Sequence, residues 1–539
     1  MKYLINKQTD ELSIEKKSPI WLSDLFWSIN WIAVRLLVPV SLFLLWWLAS
    51  NHQWMPAQIL PTPQATWHTF LNLAGEDLFQ QLAISLGRLF QGLALGVVGG
   101  IAFGFLLGYS PTAERYLSSI FYALAIVPTL AWLPLLMIWL GIENALKVFL
   151  IFKATLIPIT LHTQTGVRDI QPRLKEMAQV LQLGKQDLLF KLILPSALPH
   201  FFIGFRLALA AGWTTLIAVE LLASSEGIGY LMVTGRQLFQ LDIVFVAIAL
   251  IALVGLLLDR IFQSIEQRFI FWPHATLSAH HAQKKQKWQS VTPWVIPVTL
   301  LLLWFTSTGF HWVAEQVLPS PLAVWSALSA GMSDHSLLDA MFYSLWRALL
   351  GLLLGGSIGL FTGLLLGMFK PLEDVFAPTL NTLRLIAIFA WIPLITAWFG
   401  LADLSKIVFI SIATFFPMCI ATWKGVSNVP HNLYEAALIL RLSVLQRLRV
   451  LILPSITPSI FAGFRLALLY SWMASFGAEY LMGSGVGIGS YMMAAQQNFE
   501  MDRVIAATML VAVLGALLFW LGKTLEHRVT AWRNTEGSS

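Results

Sequence analysis

EMAQVLQLGKQDLLFKLILPSALPHFFIGFRLALAAGW, residues 176–213, returns as EAALILRLSVLQRLRVLILPSITPSIFAGFRLALLYSW at residues 435–472. The offset is a constant 259 residues, and no gap is needed until Gly485, where one residue is inserted. From Leu192 to Trp213 roughly two-thirds of the positions are identical to their partners at Leu451 to Trp472. Repetition at one register means that the same structural unit occurs twice in the chain.

Each copy reads locally in the same way. Glu176 to Leu183 is expected to form a short helix, with Met177, Ala178, Val180 and Leu181 able to make one apolar face. Gly184 is expected to supply the left-handed residue after its last turn, and Pro195 to forbid simple continuation of the next helical run. The product would be a compact helix-turn-helix knob between two membrane spans. One such stretch alone could equally be an amphipathic loop resting on a bilayer. Two copies in one register argue for the knob.

The class of protein follows from composition. Of 539 residues 57% are hydrophobic and only 12% charged, the mean hydropathy is +0.72, and soluble domains carry about 25% charged residues. The chain is therefore an integral membrane protein with the lipid bilayer as its surroundings. A net charge of +6 would suggest nucleic acid in a soluble domain, but here the basic residues sit at the ends of apolar spans. They read as orientation signals, and no nucleic-acid partner is expected. The single cysteine, Cys419, lies in an apolar run, which excludes an intramolecular disulfide and a thiol metal cluster. The first seventeen residues mix acids and bases and lead into a Trp-rich amphipathic stretch, so no cleaved signal peptide is expected.

Outward from the repeat, the spans can be placed in order. Residues 1–32 form a polar tail and an interfacial stretch, Trp21 to Trp31, before a first span at about Ala33 to Ser50. Lys2, Lys7, Lys16 and Lys17 precede that span, whereas no Lys or Arg occurs from Asn51 to Gly87, so the N-terminus is expected to be cytoplasmic. The next span carries Gly92, Gly96, Gly100, Gly104 and Gly108, and its partner carries Gly351, Gly355, Gly359, Gly363 and Gly367. A spacing of four puts each set on one helix face, a seam for close helix packing. Tyr116 to Leu140 is expected to return outward as one span and Leu146 to Val167 to come back. Arg168, Arg173, Lys175, Lys185 and Lys191 then put the knob in the cytoplasm. Phe201 to Leu222 crosses outward, Gly227-Ile228-Gly229 turns, and Ile243 to Phe262 returns.

Six spans per half follow, in a first domain at 33–267 and a second at 293–528, joined by a cytoplasmic linker at 268–292 and ending in a cytoplasmic tail at 529–539. The fold class is all-α, with about 12 transmembrane helices in a tandem repeat. An even number of spans per half makes the repeats parallel instead of inverted. His280 and His281 in the linker have no acidic or thiol neighbour, so no metal site is expected.

Glu-x-Ala, Gly eight residues after the Glu, and then Leu-Pro resemble the cytoplasmic signature loop of binding-protein-dependent ABC importer permeases. With Gly204-Phe205-Arg206, Trp213 and the Glu220 to Gly229 segment, the chain most resembles the nitrate, sulfonate and taurine branch. The resemblance covers about Leu60 to Arg268 and Leu318 to Arg528. It implies two type I importer membrane domains fused in one chain in the bacterial inner membrane, with partners: two ATPase subunits that use ATP, and a solute-binding protein. It also implies that Glu176, Ala178, Gly184 and Pro195, and Glu435, Ala437, Ser443 and Pro454, belong to loops coupled to those ATPases. Ser443 departs from the expected Gly, which predicts a strained second loop.

The chain has no Gly-x-x-x-x-Gly-Lys-Ser/Thr run, so no phosphate-cradling loop of its own, and no catalytic residue or cofactor is expected in it. A secondary transporter of the major facilitator type also has two parallel six-span halves. It commonly places acidic or His residues deep in the spans, whereas Glu220 and Glu479 are expected near the outer ends. It also has no use for matched knobs. Lys153 and Arg384 are the cations that break the repeat, with Ile412 and Ala125 as partners. Together with Glu220 and Glu479 they are the candidate residues of the solute pathway.

Overall fold

The computed structural model describes residues 20–170, 172–270 and 292–531, and all regular structure among them is helical. The polar tail, the linker with its His pair and the last eight residues lie outside the described residues. The first half runs α1 (Ile20–Asn51), α2 (Pro63–Gly75), α3 (Leu78–Tyr109), α4 (Pro111–Ile126), α5 (Leu133–Leu140), α6 (Asn144–Arg168), α7 (Pro172–Val180), α8 (Lys185–Asp187), α9 (Leu194–Ala223), α10 (Ile228–Gln237) and α11 (Leu241–Phe269). The second repeats the plan as α12 (Thr292–Gly309), α13 (Pro321–Ser333), α14 (Ser336–Met368), α15 (Lys370–Leu383), α16 (Ile392–Phe399), α17 (Asp403–Ser427), α18 (His431–Ile439), α19 (Val444–Gln446), α20 (Leu453–Met482), α21 (Ile488–Gln497) and α22 (Met501–Thr530). Among the described residues nine helices are long and apolar enough to cross a membrane, and eleven spans result if each of two bent pairs counts as one. Helix α12 holds the place in the second half that α1 holds in the first.

The bent pairs correct the expectation of a straight span from Tyr116 to Leu140. Helix α4 stops at Ile126, a 3-10 turn follows at Thr129–Trp132, and α5 leaves at 93°. Helices α15 and α16 break in the same way, by 91° across the turn Ile388–Trp391. Pro128 sits at the first break with φ −51° and ψ 137°, but Ala387 adopts nearly the same angles at the second, φ −54° and ψ 123°. Proline is therefore not required for the break. Packing holds it: Val127, Leu130 and Ala131 lie in one core with Trp472, Phe476 and Val504 of the second half. Reciprocally, Ala387, Ala390 and Leu394 lie in the core of Trp213, Ile217 and Val244 of the first.

The first helix of each half also crosses over, α1 packing on α15 and α12 on α4. Two indoles tie the crossing: Trp139 Nε1 donates to Val317 O at 3.0 Å, and Trp398 Nε1 to Ile59 O at 3.3 Å. Each half thus completes the other.

The glycine seams are where two helices approach most closely. A Cβ on any of the ten seam glycines would come within 3.0 Å of an atom of α6 in the first half or α17 in the second. At Gly355 the obstacles are the Ser411 carbonyl and the Thr414 hydroxyl, and the carbonyl cannot withdraw without moving backbone. The adjacent Gly356, also buried, would meet only Leu352 Cδ1 at 3.7 Å. Gly355→Ala is expected to destabilise the protein by about 1–3 kcal/mol through overpacking, and Gly356→Ala by less than about 0.5 kcal/mol. Heating both variants in detergent and measuring the surviving monodisperse fraction checks this, and equal losses would refute it.

Candidate functional site

Three features carry the residues singled out from the sequence: a buried charge clamp in each half, the pair of knobs, and the two helix breaks.

Glu220 lies near the end of α9, and its carboxylate is enclosed. Arg88 Nη1 donates to Oε1 at 2.9 Å, Ser85 Oγ donates at 2.9 Å, and the Gly229 N–H donates to Oε2 at 3.1 Å. Ser85 Oγ in turn accepts the Ile228 N–H at 3.0 Å. The carboxylate thereby caps the start of α10, where helix N–H groups have no intrahelical acceptor. Glu479 repeats the arrangement with Arg347 at 2.8 Å, Ser344 at 2.7 Å and the Gly489 N–H at 3.1 Å. The side chains of Glu220 and Glu479 are 0% exposed. A Cβ on Gly227 or Gly487 would strike the carboxylate it covers.

These two glutamates are therefore clamps between α3, α9 and α10, and between α14, α20 and α21. Reading the sequence missed Ser85 and Ser344, although both lie 135 residues before their glutamates, a signal the repeat already contained. The clamps differ in their second acid: Arg88 also pairs with the Glu226 carboxylate at 3.5 Å, where the second half has Val486. Arg347 also binds Asp403, through Nε at 2.9 Å and Nη2 at 2.8 Å, whereas Arg88 meets Asn144 there.

The knobs lie at the other end of α3. Helix α7 is followed by the bond from Leu183 N to Ala178 O, and α18 by its counterpart from Leu442 N to Ala437 O. The left-handed residues are Gln182, φ 50°, and Arg441, φ 51°, two positions before Gly184 and Ser443. The expected strain at Ser443 is thus absent. Its φ is −62°, and it caps α19 in a capping box: Ser443 Oγ accepts the Gln446 N–H at 3.3 Å while Gln446 Oε1 accepts the Ser443 N–H at 2.9 Å.

The expectation for the prolines is corrected as well. Neither Pro195 nor Pro454 interrupts its helix, because a π-turn at Leu188–Ile193 or Arg447–Ile452 leads directly into α9 or α20 and sets the proline in the first turn. Ala178 and Ala437 are buried under the knobs, and Glu176 and Glu435 are exposed. Glu435 reaches His431 at 3.4 Å. The knobs differ beneath: a cavity of about 350 Å³ lined by Ala178, Gln182, Leu183 and Val167 lies under the first. Tyr434 packs against Val426 and Ile452 at the matching place in the second.

Lys153 and Arg384 lie at different breaks. Lys153 is on α6, 9% exposed, and its ammonium donates to Val127 O at 3.1 Å and stands 5.6 Å from the centre of the Trp132 ring. Arg384 is the C-cap of α15, exposed, and within electrostatic reach of Asp259 and Arg206 of the first half. Asp259 and Arg206 pair with each other at 2.9 Å.

Two parallel halves with paired knobs and breaks embedded in each other's core are the frame of a membrane transport permease. The family model described as "Binding-protein-dependent transport system inner membrane component" matches residues 96–271 and again 355–531. The chain belongs to that family, with two such domains in tandem.

It is 39% identical over 236 residues to the putative aliphatic sulfonates transport permease protein SsuC of Escherichia coli, covering 44% of this chain and 90% of that protein. It is 33% identical over 278 residues to the taurine transport system permease protein TauC of the same organism, covering 50% and 98%. It is 34% identical over 234 residues to the bicarbonate transport system permease protein CmpB of Synechocystis, covering 41% and 82%. Each relative therefore spans about one half of this chain. The secondary-transporter alternative finds no support in these likenesses.

The clamp makes a measurable claim. Arg347→Met leaves the Glu479 carboxylate buried without its cation and is expected to cost about 3–5 kcal/mol. Adding Glu479→Gln to that variant should restore part of the loss, because the uncompensated charge is gone. Thermal unfolding of the single and double variants measures this. A double variant less stable than Arg347→Met would contradict it.

Proposed function

We propose that this chain supplies both membrane domains of an ATP-driven importer for a small anionic solute. Separate ATPase subunits dock on the two knobs, and a solute-binding protein delivers its load at the opposite face. The observation that carries the reading is the apolar tip on each knob. Val180 and its partner Ile439 are 83% and 81% exposed, and Leu181 and Leu440 are 66% and 70% exposed. These tips lie at the repeat register, at the ends of short helices too small to span a membrane. Apolar groups displayed in this way are characteristic of a protein interface. Glu176 and Glu435 stand beside the tips as its polar rim.

The charge pattern supports knobs, N-terminus and C-terminus on the cytoplasmic side. The names of the relatives support the solute class, since sulfonates, taurine and bicarbonate are small oxyanions or carry one. Drawing an anion inward opposes an inside-negative potential by about 2.3 kcal/mol per charge per 100 mV, so accumulation needs an external energy source. The sequence has no phosphate-binding loop to supply it.

The isolated chain is expected to hydrolyse no ATP and to gain hydrolysis only on assembly with its ATPase subunits. Copurification and an ATPase assay test this, and hydrolysis by the pure chain would end the proposal. Glu176→Lys and Glu435→Lys should each lower transport-coupled hydrolysis several-fold, by unequal amounts because only Glu435 has the His431 partner. Full coupling in both variants would argue that the knobs do not dock.

A further inference from the structure

We propose that the first helix break holds a single anion-recognition site, in which the Lys153 ammonium and the Trp132 indole N–H bind the oxyanion of the solute; this rests on the importer reading above. The repeat supplies an internal control. The breaks bend by 93° and 91°, yet the position equivalent to Lys153 is Ile412, packed with Ile388 and Trp391 at the second break. A cation is therefore not needed to build the break.

Lys153 nevertheless sits there, 9% exposed, with Val127 O as its hydrogen-bond acceptor. No carboxylate among the described residues pairs with it; it stands against the Val127 carbonyl and the Trp132 ring. An ammonium carries three donors. A buried cation without a counter-ion is costly in a membrane protein, and such groups usually serve a ligand or a pathway.

The second observation is independent of the charge. Trp132 Nε1 is buried and has no hydrogen-bond acceptor in the protein. Most buried side-chain donors are paired; Trp213 Nε1 is the other indole N–H among the described residues that is not, and no cation stands over its ring. The ammonium, from α6, stands over the ring of Trp132 in the turn of the break, 5.6 Å from its centre, so both donors belong to the same break. The break also lies at the contact between halves: Leu130 of the first break and Phe389 of the second both face the bare backbone of Gly477. A ligand at this point is sensitive to how the halves move. Because Ile412 replaces the lysine in the second half, one site forms per transporter, suited to one asymmetric solute.

The test uses the whole transporter, permease with ATPases and binding protein, in proteoliposomes, with labelled taurine, ethanesulfonate and bicarbonate as probes. Lys153→Ile installs the residue of the second half. It is expected to assemble, to unfold at an equal or higher temperature, and to raise the half-saturating concentration of the transported anion roughly ten- to hundredfold. Lys153→Arg should recover most of that loss. Trp132→Phe keeps the ring but not the N–H and should lose about three- to tenfold.

Unchanged concentration dependence in Lys153→Ile and Trp132→Phe overturns the site. A lower unfolding temperature in Lys153→Ile, with unaltered transport per folded molecule, assigns the lysine to structure and overturns it too. If Lys153→Ile does not assemble, Trp132→Phe and Lys153→Arg decide: normal half-saturation in Trp132→Phe refutes the proposal. An unmodified transporter that hydrolyses ATP but moves none of the three anions refutes the anion class and this site with it. ATP hydrolysis that never couples to the chain refutes the importer reading instead.

Discussion

Inside a bilayer a polar group has no water to bond to, so every buried donor and acceptor must find its partner within the protein. The charge clamps are the largest response to that constraint. Each glutamate takes hydrogen bonds from an arginine, a serine and a backbone N–H, and each arginine goes on to carbonyls of the following loop, Glu226 O at 2.9 Å or Val486 O at 2.6 Å. A charge-assisted network of this kind fixes three helices at once. The loop that precedes α10 or α21 could not otherwise be buried, since its backbone groups lie beyond any helix ladder.

The same constraint governs the smaller joints. Trp46 and Trp304, at the ends of the first helix of each half, donate to Pro61 O and Pro319 O, at 2.9 and 3.0 Å. Trp139 and Trp398 bridge the halves in the same manner. Where hydrogen bonds do not join helices, absent side chains do. The seam glycines let α3 lie against α6, and α14 against α17, with dispersion contacts in place of a hydrophobic drive that lipid cannot provide.

Two copies of one plan make each departure interpretable. Asn144 against Asp403, with Glu226 against Val486, moves the second carboxylate from one side of the clamp arginine to the other. Tyr434 packs beneath the second knob where a cavity lies beneath the first. Ala387 in place of Pro128 shows that the breaks are made by packing. Lys153 in place of Ile412 is the departure that the fold itself does not need.

Much was legible in the sequence because it is local. Apolar runs mark spans, glycines four apart mark a seam, and a repeated Glu-x-Ala with Leu-Pro downstream marks the knobs and the family; each signal lies within a few helical turns. The knobs' left-handed position was misplaced by two residues. Gly184 offers freedom at a point where none is needed, whereas Gln182 and Arg441 accept φ near 50° because they donate to Gln179 O and Leu438 O while the next residues, Leu183 and Leu442, donate to Ala178 O and Ala437 O. Only the tertiary structure decided the partners of Glu220 and Glu479, the breaks in α4–α5 and α15–α16, and the surroundings of Lys153. Ser85 and Glu220 are 135 residues apart, and Leu130 meets Phe389 only when both halves are assembled. Contacts between distant segments depend on how helices pack, and helix packing is a property of the whole bundle that no single stretch of sequence contains.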